Sequence, residues 1–414
     1  MTQINQIELM APAGNFESLN AAIKAGANSI YFGIKGLNMR SLGAKNFEIN
    51  DLNEIVKICK KNNIKTYLTL NTVIYDNDFQ KMKTIINESK KAGIDAIIAM
   101  DMSVISYCKE ISMNVHISTQ ANISNIQAVK FYSQFSDTLV LARELSLKQI
   151  NEICSQIIEQ NIKGPSGNLV KIEIFIHGAL CVSISGKCYM SLASYNKSAN
   201  RGECLQTCRR KYRVYDDETG NELVIDNNYV MSPKDLCTIK ILDKIIQSGV
   251  SILKIEGRGR SPDYVYKTVK TYRDAINAYY NNEFDDEKII FWEKELSSVF
   301  NRGFWHGGYY LGEKSDEWSG IYGSKATKKK IYVGDVTNYY SKKEVADIDI
   351  KSEEIKIDDE FVVIGNTTFV EGIIKSIHTF DGSVKIAKKG SIVSINVPEK
   401  VRKNDKFYIL KNNE

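Results

Sequence analysis

Short apolar segments alternate with amphipathic segments over most of the chain, and this rhythm constrains the fold more than any other feature. The apolar segments read IELMAPAG, SIYFGI, KTYLTLN, AIIAMD, NVHISTQ, DTLVLAREL, VKIEIFIHG and ILKIEGR. Strands that are apolar throughout are covered on both faces, as in parallel sheets flanked by helices. Eight such strands predict an α/β fold, a closed (β/α)8 barrel of the TIM type, with an open doubly wound sheet as the alternative.

A long insertion separates the seventh apolar segment from the eighth. It covers residues 179–249 and contains five of the eight cysteines. A loop after a barrel strand leaves from the C-terminal face, where barrel enzymes have their active sites. Long irregular stretches inside compact domains usually have a function. We therefore expect a barrel domain over residues 1–325, with its active site beside this insertion after strand 7.

The end of the chain has a different pattern. From about residue 328, short strand-like segments are separated by turn residues at intervals of roughly 8–12 positions, which is typical of small all-β domains. We expect a small β-barrel or sandwich domain over residues 326–414.

Composition restricts the class of protein without identifying a partner. Hydrophobic residues make up 43% of the chain, and the formal charge of +5 is too mild to indicate nucleic acid by itself. No apolar stretch approaches the length of a membrane span, and the N-terminus lacks the pattern of a secretory signal. A cytoplasmic protein without a membrane partner is expected, with reduced thiols rather than disulfides.

The cysteines of the insertion are the strongest chemical signal. They are spaced Cys-x6-Cys-x15-Cys-x3-Cys-x28-Cys, at positions Cys181, Cys188, Cys204, Cys208 and Cys237. Thiolates gathered in one place bind zinc or iron–sulfur clusters. Structural zinc sites normally use Cys-x2-Cys pairs, which this segment lacks, so a cluster is favoured over zinc. Five cysteines leave one more than a four-ligand site requires, and isolated thiols are the remaining alternative.

The segment KSANRGECLQTCRRKYR, within the insertion, is strongly basic. It has one acidic residue, Glu203, and six cations: Lys197, Arg201, Arg209, Arg210, Lys211 and Arg213. With Tyr212 and Tyr215 nearby, such a segment can bind phosphates and stack a base. A solvated loop surface explains the charges equally well.

Polar residues follow or end most of the predicted strands. They are Arg40, Asn71, His116, Ser118, Gln120, Arg143, Glu144, His177, Glu256 and Arg258. The C-terminal ends of barrel strands meet at one mouth, so these side chains are expected to form a site. Arginines there suit a ligand with carboxylates. Each residue taken alone is explained as well by a structural role in the core or in an ion pair.

A set of residues around strand 7 resembles the signature of the collagenase-like peptidase family U32. The set comprises Glu173, Phe175, Gly178, Ala179, Leu180, Cys181, Gly186, Cys188, Met190 and Ser191. The segments APAGNFESLNAAIKAGANSIYFG, VHISTQANISN, VLARELSL, SANRGEC and LKIEGRGRSPDYV resemble further blocks of the same family. The resemblance covers residues 7–325 and extends to the C-terminal β domain.

This resemblance implies a hydroxylase rather than a protease. It implies a [4Fe-4S] cluster on four cysteines and hydroxylation without molecular oxygen. The substrates of such members are the wobble uridine of tRNA, a cytidine of ribosomal RNA, or a ubiquinone precursor. Length and the basic insertion are most similar to the tRNA branch, which forms 5-hydroxyuridine with prephenate as the implied hydroxyl source and cosubstrate. Because the quinone-modifying members form heterodimers, a partner subunit of the same family stays open.

Roles for individual residues follow from this resemblance and from the strand ends. Cys181, Cys188, Cys204 and Cys237 are the implied metal ligands, with Cys208 as the alternative ligand. The catalytic candidates are His116, Gln120, Arg143, Glu144, His177 and Glu256. The candidates for binding tRNA or the cosubstrate are Arg40, Asn71, Arg258, Arg201, Arg209, Arg210 and Lys211. A peptidase with Cys181 as nucleophile and His177 as base, and an RNA-binding subunit with a structural cluster, stay open.

Overall fold

The computed structural model describes residues 7–223, 231–312 and 318–413, and its first part is a closed barrel. The strands are β1 (Glu8–Ala13), β2 (Ser29–Phe32), β3 (Lys65–Leu70), β4 (Ala96–Ala99), β5 (Val115–Ile117), β6 (Thr138–Val140) and β7 (Lys171–Gly178). The helices between them are α1 (Phe16–Lys24), α2 (Leu52–Lys61), α3 (Phe79–Ala92), α4 (Met102–Glu110), α5 (Ile126–Tyr132) and α6 (Leu147–Glu159). Neighbouring strands pair in parallel, and β11 (Ile252–Ile255) pairs with both β7 and β1. The predicted (β/α)8 barrel is confirmed.

Local sequence explains where the barrel helices begin. The side chain of Asn15 accepts a hydrogen bond from the backbone N–H of Ser18 at 2.8 Å, at the start of α1. Ser146 and Gln149 form a reciprocal capping box at the start of α6. Such side chains satisfy backbone N–H groups that have no partner inside the helix. Helix α1 therefore begins shortly after β1, and α6 shortly after β6, at the end of the barrel where these strands terminate.

The insertion after β7 is irregular at first and then rejoins the barrel wall. It contains α7 (Met190–Tyr195), β8 (Val214–Tyr215), β9 (Glu222–Leu223), β10 (Asp235–Cys237) and α8 (Leu242–Gln247). Strand β10 pairs antiparallel with the end of β7, where Leu236 lies opposite Gly178. The last part of the predicted insertion over 179–249 therefore belongs to the barrel wall, because β10 and α8 are regular elements of that wall.

Two helices and one strand lead from the barrel to the C-terminal domain. They are α9 (Pro262–Tyr280), α10 (Asp286–Ser297) and β12 (Phe304–His306), and β12 pairs in parallel with β10. The C-terminal strands are β13 (Lys328–Tyr340), β14 (Val345–Ile350), β15 (Ile355–Lys356), β16 (Glu360–Gly365), β17 (Thr368–Ile373), β18 (Ile377–Thr379), β19 (Gly382–Val384), β20 (Ile386–Ala387), β21 (Ile392–Asn396) and β22 (Lys406–Asn412). Their pairings are antiparallel, as the all-β pattern predicts.

The C-terminal domain packs against the outside of the barrel. It has a hydrophobic core of its own, and a smaller cluster joins it to α1 and α9. Phe369 stacks on Tyr266 with ring centroids 4.3 Å apart, and Lys24 lies 2.6 Å from a carboxylate oxygen of Glu399. These contacts place the domain on the helical layer. Within the described ranges, none of the helices combines the length and apolar character that crossing a bilayer requires.

Candidate active site

A cavity of about 170 Å³ lies beyond the carboxyl ends of the barrel strands, covered by the insertion. Its barrel side includes Tyr31, Thr69, Asn71, Ser118, Gln120, Arg143, Phe175, Lys254, Glu256 and Arg258. Its insertion side includes Cys181, Cys188, Met190, Cys204, Gln206, Cys208 and Arg209. Polar strand-end residues and cysteines separated by many positions in the sequence therefore face the same space.

Four cysteines line this cavity. Cys181 is exposed, Cys188, Cys204 and Cys208 are half-buried, and all eight cysteines of the chain are unpaired thiols. Their proximity is visible in the electrostatics of Cys208. Burial raises the pKa of its thiol and the charge of Arg209 lowers it, while the thiols at 181, 204 and 188 raise it further. The four thiols therefore line one cavity, close enough for their charges to interact.

Close backbone packing holds the segment that carries Cys204. Gly202 has φ +84°, and a Cβ atom there would lie 2.0 Å from the backbone oxygen of Asn38. Ser41 donates to the Gly202 carbonyl at 3.0 Å. Only glycine has the backbone freedom and the lack of volume that this approach requires. The contact fixes the cysteine segment to the loop after β2, at the edge of the cavity.

Cys237 lies elsewhere. It is fully buried in β10, outside the cavity, with its sulfur 4.0 Å from the Tyr272 hydroxyl. Burial raises the pKa of this thiol to about 12. The expected ligand set placed Cys237 with Cys181, Cys188 and Cys204, but the structure brings Cys208 to those three instead. The reason is the pairing of β10 with β7, which fixes Cys237 in the wall behind α9.

Positive charge dominates the rest of the cavity. Arg40 lies 2.7 Å from Glu256, whose carboxylate is the one acidic group among the described residues that line the cavity. Burial opposes ionisation of Glu256, but the charges of Arg40, Arg260 and Arg143 prevail and lower its pKa to about 2. Ionised Glu256 is thereby held in place under the arginines.

Two more arginines of the cavity have no carboxylate partner among the described residues. Arg143 stacks over Phe175 at 3.9 Å and donates to the Ala179 carbonyl at 3.1 Å. Arg258 donates to Thr69 and Asn38, and burial lowers its pKa to about 10. The Nε atoms of both are buried without a hydrogen-bond partner. An anion in the cavity would therefore meet cations that protein carboxylates do not neutralise.

Comparison with known proteins assigns the family. The sequence model of peptidase family U32 matches residues 14–320, which is most of the chain. The chain belongs to peptidase family U32. The predicted family membership is confirmed.

Curated relatives of this U32 protein have names of two kinds. A collagenase of Porphyromonas gingivalis is 52% identical over 408 residues, covering 98% of both chains. The tRNA hydroxylation protein P1 of Bacillus subtilis is 34% identical over 348 residues, covering 80% of this chain and 77% of the relative. The 23S rRNA 5-hydroxycytidine synthase of Escherichia coli is 34% identical over 275 residues, covering 66% of this chain and 40% of that enzyme.

Both barrel histidines with expected catalytic roles lie outside the cavity of the U32 protein. His116 lines a separate polar cavity around the N-terminal ends of the strands, with Nδ1 3.5 Å from Glu173. His177 is buried beside Tyr272, and burial lowers its pKa to about 3. The register between β7 and β11 shifts between Lys254 and Ile255, and such irregularities break the alternation of side chains. The structure therefore does not bring His116 or His177 into the cavity at the mouth, and their catalytic roles stay predictions from the sequence.

Other expected site residues divide between the wall and the surface. Asn71 and Gln120 line the cavity and are joined by a hydrogen bond of 3.2 Å. Glu144 and Lys211 are exposed and do not line it. Glu144 lies with Arg143 in the turn that follows β6, where its side chain is exposed.

The arginines of the basic segment are engaged in contacts within the insertion and with the segment before α3. Arg201 forms an ion pair with Asp78 and stacks 4.1 Å from the ring of Tyr75, away from the cavity. Arg209 reaches the cavity wall and donates to the Pro233 carbonyl at 2.7 Å. Arg210 lies 5.0 Å over the ring of Tyr195 at the surface. Arg209 is thus the one of these three whose charge faces the cavity.

Sequence reasoning missed Lys254, which lies in the cavity wall. Its amine is 2.7 Å from a carboxylate oxygen of Glu173, a fully buried residue on β7. A signal was present, because a lysine and a glutamate interrupt two of the most apolar segments, ILKIEGR and VKIEIFIHG. Buried charges of opposite sign in adjacent strands are normally paired.

The buried carboxylate of Glu256 gives a prediction about acid stability. Its pKa is about 2 in the folded protein against an ordinary value of 4.5. Between these two values the folded protein binds fewer protons at Glu256 than the unfolded protein does. The stabilisation that ionised Glu256 provides is therefore complete above about pH 4.5 and is lost as pH falls toward about 2. Between these limits, wild-type protein is expected to lose about 3 kcal/mol more than Glu256→Gln. Urea unfolding at a series of pH values measures this, and parallel curves would contradict it.

Proposed function

We propose that this U32 protein is an iron–sulfur-dependent RNA hydroxylase that works without molecular oxygen. Its proposed product is 5-hydroxyuridine at the wobble position of tRNA, with prephenate as the hydroxyl source. The observation that carries the proposal is the meeting of four cysteines and several unneutralised arginines in one cavity at the barrel mouth. Two of the relatives described above are named for hydroxylation of tRNA and of ribosomal RNA.

The donor set suits a cluster, because four thiols line one cavity and an iron–sulfur cluster takes four thiolate ligands. In the described part of the chain, no three side chains of His, Cys, Asp or Glu are already arranged around one point as a single metal ion requires. Cys181, Cys188, Cys204 and Cys208 are the proposed ligands. A bound cluster would supply electron transfer or a Lewis-acidic iron.

The cations of the cavity support a cosubstrate with carboxylates. Arg143 and Arg258 are proposed to bind them, because neither is neutralised by a carboxylate among the described residues and each retains an unused Nε–H. Guanidinium groups bind carboxylates through paired hydrogen bonds. Arg40 is proposed to act differently, since it already forms an ion pair with Glu256. Asn71 and Gln120 would add neutral hydrogen bonds to the same ligand.

The outer edge of the insertion supports an RNA partner. Exposed tyrosines occur there together with cations, at Tyr189, Tyr195 and Tyr215, with side chains that are 69%, 46% and 52% exposed. Bases stack on such rings, and phosphates bind the neighbouring cations. Arg210 and Lys211 are the proposed phosphate contacts, because both lie on the exposed surface of the insertion, whereas Arg201 pairs with Asp78 and Arg209 lines the cavity.

Nucleoside mass spectrometry in a deletion strain tests the proposed function. Wobble 5-hydroxyuridine in tRNA is expected to fall and to return with the wild-type gene but not with Cys204→Ala. Cys59→Ala, which changes a buried cysteine far from the cavity, is the matched control and should restore it. If tRNA is unchanged and hydroxycytidine in ribosomal RNA or a quinone is lost instead, the substrate is ribosomal RNA or a quinone precursor. No change in any of these would contradict the proposal.

A peptidase is the second candidate, favoured by the collagenase name of a relative that is 52% identical. The pair expected from sequence, Cys181 with His177, is not assembled. Cys181 lines the cavity, whereas His177 is buried beside Tyr272 outside it. Cleavage of gelatin by pure anaerobic protein, abolished by Cys181→Ala, would restore this candidate.

A further inference from the structure

Lys254 has the surroundings of a nucleophilic amine in addition to its structural ion pair. It lies on the barrel strand β11, is 4% exposed, and lines the cavity. Its Nζ atom is 2.7 Å from Oε1 of Glu173, which is 0% exposed. Aromatic rings enclose the stem, with Nζ 4.5 Å from the centroid of Tyr31 and 5.3 Å from that of Phe175.

Burial and two neighbouring arginines favour the neutral form of this amine, whereas the Glu173 carboxylate favours the ammonium. Burial lowers the pKa of Lys254 most, the Glu173 carboxylate raises it, and Arg143 and Arg258 lower it. His116 lies beyond Glu173, 3.5 Å from its other oxygen. A lysine that is desolvated and placed beside other cations is a nucleophile toward carbonyl groups. Glu173 is placed to accept the proton that the ammonium must lose.

We propose that Lys254 forms a Schiff base with the keto carbon of a 2-keto acid bound in this cavity. The carboxylate next to that carbon would bind Arg143 or Arg258, which border the amine. The inference rests on the proposed function, because prephenate contains a 2-keto acid group. It deepens that function by assigning covalent capture of the cosubstrate to one residue.

The step is a balanced condensation. The Lys254 ammonium gives one proton to Glu173, and the nitrogen lone pair forms a bond to the keto carbon as the C=O π bond opens. The carbonyl oxygen takes the proton from Glu173 and then a second from the nitrogen, and leaves as water. Ammonium plus ketone thus become a protonated imine plus one water. No electrons enter or leave the system.

Reductive trapping tests the proposal on the purified anaerobic protein. Pyruvate is the probe, and sodium cyanoborohydride reduces the imine to a stable amine. The expected result is a mass increase on the Lys254 peptide equal to one pyruvic acid plus two hydrogens minus one water, saturating with pyruvate. Lactate, which has no carbonyl group, should give none. Labelling at that peptide should be lost in Lys254→Arg and kept in Lys65→Arg, whose lysine is 51% exposed and paired with Glu8.

Peptide mapping keeps the test decisive even where a variant does not fold. Wild-type protein labelled only on exposed lysines, or without saturation, would overturn the proposal. Hydroxylation of tRNA that depends on prephenate, without any Lys254 adduct, would overturn it and leave the proposed function intact. An adduct at Lys254 in a protein that does not hydroxylate RNA would support covalent capture at Lys254 and would overturn the proposed RNA substrate.

Discussion

Replacing Cys208 by alanine is expected to remove most of the iron and acid-labile sulfide from protein purified without oxygen, whereas Cys237→Ala keeps both. Cys208 lines the cavity with the three other thiols, and Cys237 is buried behind the wall. Wild-type protein should contain roughly four iron atoms per chain. Iron and sulfide analysis, with the visible absorption of the cluster, measures the difference. Circular dichroism confirms that each variant is folded.

The pair of variants separates the two possible ligand sets. Both remove one thiol from the five in the insertion, so a general effect of losing a cysteine is common to the two. Loss of iron in Cys237→Ala with retention in Cys208→Ala would show that the ligand set with Cys237 is correct. If wild-type protein also lacks iron and sulfide, the proposal that the protein binds an iron–sulfur cluster is contradicted.

Replacing Glu173 by leucine is expected to lower the free energy of unfolding by about 3–5 kcal/mol, because it leaves the buried Lys254 ammonium without its counter-charge. The two side chains are 0% and 5% exposed and 2.7 Å apart. Lys254→Met should cost a similar amount, since it leaves the carboxylate buried. The double variant Glu173→Leu with Lys254→Met should be much closer to wild type, because no buried charge remains unpaired. Urea unfolding of the four proteins gives the coupling free energy.

An exposed ion pair of the same chemistry provides the control. Lys270 and Asp274 on α9 are 46% and 39% exposed, and their charged atoms lie 2.6 Å apart. Lys270→Met should cost less than about 1 kcal/mol, since solvent screens such pairs. Single-variant costs that simply add in the double variant would show that Glu173 and Lys254 are not coupled.

Periodicity predicted the architecture because strands that are buried on both faces have sequences that are apolar throughout. The seventh and eighth segments, with the insertion between them, predicted where the cavity would lie. Individual side chains were less predictable. The alternation in VHISTQ does place Ser118 and Gln120 in the cavity, but His116 is one layer deeper along the same strand.

The limits of sequence reasoning are clearest at His177 and Cys237. Both belong to strands that pair with each other, and Cys237 lies opposite His177 in the ladder. Neither the pairing nor the register shift of β7 has a signal in the local sequence. Whether a polar residue at a strand end faces the cavity depends on that register, so both residues were assigned to the site and lie outside it.

Residue type and order along the chain were enough to predict the barrel, the β domain, the family and the segment that carries the cysteines. The folded chain was needed to show which thiols share a wall and that Lys254 meets Glu173 beside the arginines. This is because strand register and loop packing, as at Gly202 against Asn38, set the direction of each side chain. Those directions arise from contacts between segments far apart in the chain.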